Sequence, residues 1–73
     1  MAEHQVNSPM TGQVIEIPIS VGESVSEGDL IIVIESMKME NEIFSKVTGT
    51  ISSIHVEEDQ NVSEENLLMT IEV

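Results

Sequence analysis

Apolar and polar residues along this chain follow the short periods of β-strands. The runs 30–35 and 67–72 are almost continuously apolar, as is typical of strands buried on both faces. The runs 13–19 and 50–56 are rich in β-branched residues. Strands are predicted over residues 5–7, 13–19, 30–35, 42–44, 50–56 and 67–72. No window has a convincing helical period, so the pattern predicts an all-β fold.

Two of the predicted strands contain apolar residues at an odd spacing. The pairs are Val14 with Ile17, and Ile51 with Ile54. A regular strand alternates its side chains between two faces, so residues three apart cannot both point inward. We therefore expect a β-bulge or bend near Glu16 and another near Ser53.

The second half of the chain repeats the first at an offset of 37 residues. Residues 11–35 align with residues 48–72 without a gap, and nine of the 25 pairs are identical. Two similar halves predict a quasi-two-fold fold in which neither half can bury its apolar face alone. The same offset relates Lys38 to Met1. We expect the chain ends to meet at one end of the domain, with Lys38 at the other.

Composition and charge narrow the classes of function. The chain has 73 residues, a net charge of −12, two lysines, no arginine, no cysteine and one aromatic residue. Phosphate binding needs clustered basic residues, and base stacking needs aromatic rings, so nucleic acid is not an expected partner. The longest apolar run, residues 30–34, is too short to span a bilayer. We expect one domain over residues 1–73, without disulfides, in the cytoplasm.

The six residues 35–40 stand out from this regular pattern. They place Lys38 between Met37 and Met39, at the point where one predicted strand ends and the next begins. Tight hairpin turns prefer Asn-Gly or Gly-x, which tolerate positive φ, so Met-Lys is poor turn chemistry. A local rule broken in an otherwise consistent sequence marks a candidate functional site. Alternatively, the two methionines could simply pack on the end of the domain.

The remaining candidate residues indicate no catalytic or metal site. His4 and His55 are predicted to be surface residues, and the acidic clusters lack the spacing of a calcium loop. Gly12 and Gly49 are expected to serve backbone conformation. A catalytic lysine needs burial or a neighbouring cation, whereas acidic residues surround Lys38. We therefore expect no catalytic residue, and an amine that accepts a group activated elsewhere.

Three segments together resemble the biotinyl (biotin carboxyl carrier) domain family. They are Glu35-Ser36-Met37-Lys38-Met39 followed by Asn41-Glu42-Ile43, the stretch Val21-Gly22-Glu23 to Leu30, and the opening Ser8-Pro9-Met10-Thr11-Gly12. The resemblance covers about residues 8–73. Related lipoyl domains usually carry Asp-Lys-Ala at the tip, so the two methionines favour biotin. Serine at position 36 replaces the more common alanine, and the ungapped repeat leaves no room for the "thumb" insertion of some carriers.

This resemblance implies a fold and a function. The fold is a flattened β-barrel of two four-stranded antiparallel sheets related by a quasi-two-fold axis. Biotin would be joined by an amide bond to Lys38, with Glu35, Ser36, Met37 and Met39 flanking it in the cofactor site. A biotin–protein ligase would attach the biotin. The biotin would then carry carboxylate between a biotin carboxylase and a carboxyltransferase or decarboxylase.

Two other functions remain open at this stage. One is a lipoyl carrier, or a domain that accepts either biotin or lipoate. The other is an unmodified interaction module that keeps only the scaffold. An enzyme acting alone is the least favoured class.

Overall fold

The computed structural model describes residues 2–73, which contain eight β-strands and no helix. The strands are β1 (Glu3–Asn7), β2 (Gly12–Glu16), β3 (Ser24–Val25), β4 (Leu30–Ser36), β5 (Met39–Phe44), β6 (Gly49–Ile54), β7 (Asn61–Val62) and β8 (Leu67–Glu72). The prediction of an all-β fold is confirmed. Within residues 2–73 no helix is long and apolar enough to span a membrane.

The strands form two four-stranded sheets with antiparallel pairing. One sheet has the order β1-β8-β6-β3, and the other has the order β5-β4-β2-β7. Adding 37 to the residue numbers of β1–β4 gives approximately those of β5–β8. The same offset relates each strand of one sheet to the strand at the same place in the other sheet. The predicted pair of sheets is confirmed, but the sheets stay separate and form a flattened sandwich rather than a closed barrel.

The core lies between the two sheets and takes residues from both halves of the chain. Its fully buried side chains are Val14, Ile31, Ile32, Ile34, Leu68, Met69 and Ile71, with Ile51 almost fully buried. These residues come mainly from β4 and β8, the two strands predicted to be buried on both faces. Neither half could form this core alone, as the repeat predicted.

Two strands begin earlier than predicted, β1 at Glu3 rather than residue 5 and β5 at Met39 rather than residue 42, and two others end earlier. β2 ends at Glu16 and β6 at Ile54, whereas the sequence predicted strands to residues 19 and 56. Beyond β2, the backbone N–H of Ile17 donates to the Glu58 carboxylate at 3.2 Å, and Pro18 has no N–H to donate. The chain therefore leaves the sheet before Ile19, whose side chain still packs in the core.

Both predicted bulges are present. The register of β2 against β4 shifts between Val14 and Glu16, and that of β6 against β8 shifts between Ile51 and Ser53. The extra residue in each strand lets the apolar residues at an odd spacing reach the core.

The repeat extends to individual hydrogen bonds. The buried Ser8 hydroxyl donates to the Met10 carbonyl at 2.6 Å, and the buried Ser45 hydroxyl donates to the Val47 carbonyl at 2.6 Å. Each pair of residues is related to the other by the offset of 37 positions. The quasi-two-fold relation therefore holds in the turns as well as in the strands.

The chain ends meet as predicted. Val73 N–H donates to the Ala2 carbonyl at 2.9 Å, and Ala2 N–H donates to the Val73 carbonyl at 3.3 Å. Ala2 and Val73 occupy the repeat positions of Met39 and Ser36, which pair next to the turn of the β4–β5 hairpin. Met1, the residue related to Lys38, lies outside the described residues.

Candidate functional site

The candidate site is the two-residue turn that joins β4 to β5. Ser36 pairs with Met39 as the last rung of the hairpin, which leaves Met37 and Lys38 in the turn. Their φ angles are 54° and 65°, so both turn residues adopt the left-handed conformation. Positive φ at both positions is the pattern of a type I′ turn, for which Asn-Gly is the favoured sequence. The sequence-based conflict between residue type and turn geometry is therefore real.

The turn is held on a rigid base and exposed at its end. Ile31, Ile32 and Ile34 are fully buried along β4. At the tip, Met37 is 92% exposed, Met39 is 68% exposed and Lys38 is exposed. The alternative that the methionines pack on the end of the domain is therefore wrong. The structure presents an amine and two flexible apolar side chains to solvent.

Asn41 adds a side-chain support that the sequence analysis did not identify. Its Nδ2 donates to the Ile34 carbonyl at 3.4 Å and to the Met39 carbonyl at 3.2 Å. The amide therefore links the two strands just below the turn. In the sequence, the only signal of this role was a polar residue within a predicted hairpin. Which atoms accept its hydrogen bonds is visible only in the structure.

Gly12 allows β2 to lie close to β4, just below the turn of the hairpin. A Cβ atom at this position would collide with the Glu35 carbonyl oxygen and lie 2.8 Å from Cγ2 of Ile34. The repeat-related Gly49 meets the Glu72 carbonyl in the same way. The expectation that these glycines serve backbone conformation is corrected, because their role is close approach between strands rather than a positive φ.

Acidic side chains surround the base of the turn. Glu35 and Glu40 are both exposed and lie directly opposite each other on β4 and β5. Like charges directly opposite in a sheet repel each other. The only other lysine, Lys46, lies outside the hairpin and is exposed. Lys38 is therefore the single basic side chain in an acidic hairpin.

A groove of about 520 Å³ runs beside the hairpin. Its walls come from the start of β2, the end of β4 and the β7 region. The lining residues are Thr11, Gly12, Gln13, Glu35, Ser36, Met37, Asn61, Val62 and Ser63. Three of the five predicted site residues, Glu35, Ser36 and Met37, are therefore also groove residues.

The two histidines lie apart from the hairpin. His4 is in β1 and half-buried, and His55 is exposed with Nε2 3.0 Å from the Ser53 hydroxyl. Across residues 2–73, no group of three or more histidine, cysteine or acidic side chains is arranged to hold a metal ion.

A family comparison identifies the class to which this fold and hairpin belong. Residues 4–71 match the biotin/lipoyl family model, which is described as "Biotin-requiring enzyme". The match covers nearly the whole chain, so the chain belongs to the biotin/lipoyl attachment family. The family resemblance inferred from the sequence is confirmed.

Among curated proteins, the chain is similar to carriers and decarboxylase subunits. It is 40% identical over 42 residues to the biotin carboxyl carrier protein of Streptococcus mutans, covering 58% of this chain and 32% of that protein. It is 40% identical over 38 residues to the methylmalonyl-CoA decarboxylase subunit gamma of Veillonella parvula, covering 52% of this chain and 30% of that protein. The chain thus spans about a third of each of these relatives.

A solved structure provides the corresponding comparison of the fold. The lipoyl domain of the 2-oxoglutarate dehydrogenase complex from Azotobacter vinelandii superposes with a TM-score of 0.83 and 25% sequence identity. The match covers 94% of this chain and 95% of that domain. The flattened two-sheet fold is therefore shared with a lipoyl domain, while one of the two relatives named above is a biotin carboxyl carrier protein.

Proposed function

We propose that residues 1–73 form a single biotin-carrying unit in which biotin is joined by an amide bond to Nζ of Lys38. The observation that carries this proposal is the exposed Lys38 in a left-handed turn between two exposed methionines. The membership of the chain in a biotin-requiring family supports it. Glu35, Ser36, Met37 and Met39 are the residues that a ligase or an acceptor enzyme would contact around the amide.

The unit acts as a carrier rather than as a catalyst. A nucleophilic lysine is usually activated by burial or by a neighbouring cation, and Lys38 has neither. The activated acyl group and the base that takes the amine proton must come from a partner, which we propose is a biotin–protein ligase. In the amide-forming step, Nζ attacks the acyl carbon of biotinyl-adenylate, AMP leaves, and one amine proton is released.

The proposed partners of the biotinylated form are a biotin carboxylase and a carboxyltransferase or decarboxylase. The names of the carrier protein and of the decarboxylase subunit given above support this class of partner. A flexible arm on a rigid hairpin raises the local concentration of biotin at the sites it can reach. Met37 and Met39 add adaptable apolar contacts for different partner surfaces. We propose the cytoplasm as the compartment of this exchange.

The acceptor assay tests the proposal directly. The purified chain is incubated with ATP, biotin and a biotin–protein ligase, and its intact mass is measured. We expect the wild type to gain one biotinyl group, Lys38→Arg to gain none, and Lys46→Arg to react like the wild type. Equal labelling of Lys38→Arg, or an unlabelled wild type, would overturn the assignment.

Lipoate is the second candidate for the attached group, because the chain superposes on a lipoyl domain. The same assay is run with lipoate and a lipoate ligase. A wild-type chain that gains lipoyl but no biotinyl group would support this alternative. Labelling by both ligases would define a domain that accepts either group.

A further inference from the structure

We infer that the groove beside the hairpin is a resting site for the ureido ring of the biotin carried on Lys38. This inference rests on the proposed function. Its occupant is the arm of the chain itself, and no partner protein is required. The position of the groove, its size and the chemistry of its walls suit this occupant.

The groove is within reach of the arm. Met37 forms part of its wall and immediately precedes Lys38. A lysine side chain extended by the valeryl chain of biotin spans on the order of 10 Å or more at ordinary bond lengths. The arm can therefore fold back over Met37 and place its ring system in the groove, against the start of β2 and the residues around β7.

The volume of the groove suits a small bicyclic ring. At about 520 Å³ it falls within the range of small-molecule sites. Gly12 leaves its part of the wall without a side chain, and Met37 adds a flexible, exposed apolar edge. These groups can contact the thiophane ring and the methylene chain.

The polar groups on the walls match the ureido group. A ureido group has two N–H donors on either side of one carbonyl acceptor. Gln13 donates through Nε2 to the Asp59 carbonyl at 3.1 Å, and its Oε1 makes no hydrogen bond within residues 2–73. Glu35 supplies a carboxylate acceptor on the same wall. Acceptors for both N–H groups are therefore present.

Donors for the ureido carbonyl lie on the walls of the same groove. The side chains of Asn61 and Ser63 line it, and neither side chain makes a hydrogen bond within the described part of the chain. The Ser36 hydroxyl is a third donor at the end nearest the turn. The groove thus offers both kinds of polar partner that the ring requires.

Carboxylation should weaken this docking. Adding carboxylate to a ureido nitrogen replaces an N–H donor with a negative charge. That charge would enter a groove that already holds the Glu35 carboxylate, so like-charge repulsion opposes docking. The groove therefore holds the uncharged arm and releases the carboxylated arm for transfer.

The test installs the arm without depending on a ligase. Because the chain has no cysteine, Lys38→Cys can be labelled at one position with a thiol-reactive biotin. Backbone amide spectra are then compared before and after labelling. We expect shifts at Gly12, Asn61 and Ser63 and none at Ser24 and Ser26, the positions that are related to Asn61 and Ser63 by the repeat.

The repeat also supplies a matched pair of blocking variants. Ser63→Phe fills the groove, whereas Ser26→Phe places the same side chain at the equivalent exposed turn position. The two turns are alike, since Ser63 N–H donates to Asn66 at 2.6 Å and Ser26 N–H donates to Asp29 at 2.8 Å. In the Lys38→Cys background, Ser63→Phe should abolish the groove shifts and Ser26→Phe should preserve them.

A replacement variant and two contrary results complete the test. If Ser63→Phe fails to fold, Asn61→Ala is used in its place and should reduce the shifts. Labelling that shifts only residues next to position 38, or shifts that survive Ser63→Phe unchanged, would overturn the resting site. Ligase labelling of the wild-type chain is measured separately, so a failed acceptor assay cannot be confused with an empty groove.

Discussion

At the scale of single residues, two pairs of repeat-related turns keep a positive φ angle with different residue types. Gly22 and Gly28 have φ angles of 92° and 95°, which glycine adopts without strain. Their repeat equivalents are Asp59 and Glu65, with φ angles of 73° and 74°. Aspartate tolerates the left-handed region, but glutamate has no such local compensation. The second half therefore carries strain that the first half avoids.

Replacing Glu65 with glycine should stabilise the fold. The left-handed conformation costs a residue with a Cβ roughly 1–2 kcal/mol, and glycine returns about 0.5–1 kcal/mol of this through its greater entropy when unfolded. We expect Glu65→Gly to raise the free energy of unfolding by about 0.5–1 kcal/mol, measured by urea denaturation. The substitution keeps the hydrogen bond that the backbone N–H of residue 65 donates to the Ser8 carbonyl at 2.7 Å.

The neighbouring Glu64 is the control, since its φ is not positive. Glu64→Gly adds unfolded-state entropy without relieving strain, so it should lower stability. An equal effect of the two substitutions would show that backbone strain at Glu65 is not the cause.

At the scale of elements, the β4–β5 hairpin combines a buried strand with an unfavourable turn. Replacing Met37-Lys38 with Asn-Gly should stabilise the domain, because both residues then fit a type I′ turn. We expect a gain of about 1–2 kcal/mol in the free energy of unfolding. The variant must lose acceptor activity in the mass assay, because it lacks the lysine.

Lys38→Arg separates the two effects of this double substitution. Arginine keeps a side chain at positive φ, so Lys38→Arg should leave stability near that of the wild type while abolishing biotin attachment. If Asn-Gly gives no gain in stability, the strain attributed to the turn is absent.

Asn41 should limit the motion of the two strands just below the turn of the hairpin. Asn41→Ala removes the donor to the Ile34 and Met39 carbonyls, which we expect to cost about 0.5–1.5 kcal/mol. Hydrogen exchange should quicken at the amides of residues 35–40. Asn7→Ala, at an exposed position of β1, is the control and should change neither stability nor exchange. Unchanged exchange in Asn41→Ala would contradict the supporting role.

Sequence patterns predicted those elements whose causes lie in residue type and spacing. The buried runs and the two bulges come from the spacing of apolar residues, the repeat comes from the alignment of the two halves, and each was confirmed. The two-residue strands β3 and β7 lacked such a signal, because their pairing depends on contacts with β6 and β2. The groove beside Met37 and the set of residues that line it likewise depend on distant segments meeting. No local pattern could reveal them.

At the scale of the whole molecule, the chain ends complete the quasi-two-fold relation. The hydrogen bonds between Ala2 and Val73 reproduce the last rung of the β4–β5 hairpin, the pair Ser36 and Met39. A two-residue turn between Val73 and Ala2 would therefore join β8 to β1 as a continuous hairpin. The natural turn at the equivalent position, Met37-Lys38, bridges the same gap.

Joining Val73 to Ala2 through Asn-Gly, in place of Met1, should therefore close the backbone without distorting the sheet. A covalent ring limits the unfolded ensemble, and the loop-entropy relation used for disulfides gives a gain of roughly 4 kcal/mol for a ring of this length. The expected result is a higher urea midpoint than that of a linear chain carrying the same Asn-Gly at its end. Because Lys38 lies outside the joined segment, biotin labelling should be unchanged. A ring less stable than the linear control would show that the ends do not lie in hairpin register, and the quasi-two-fold account of the molecule would fail with it.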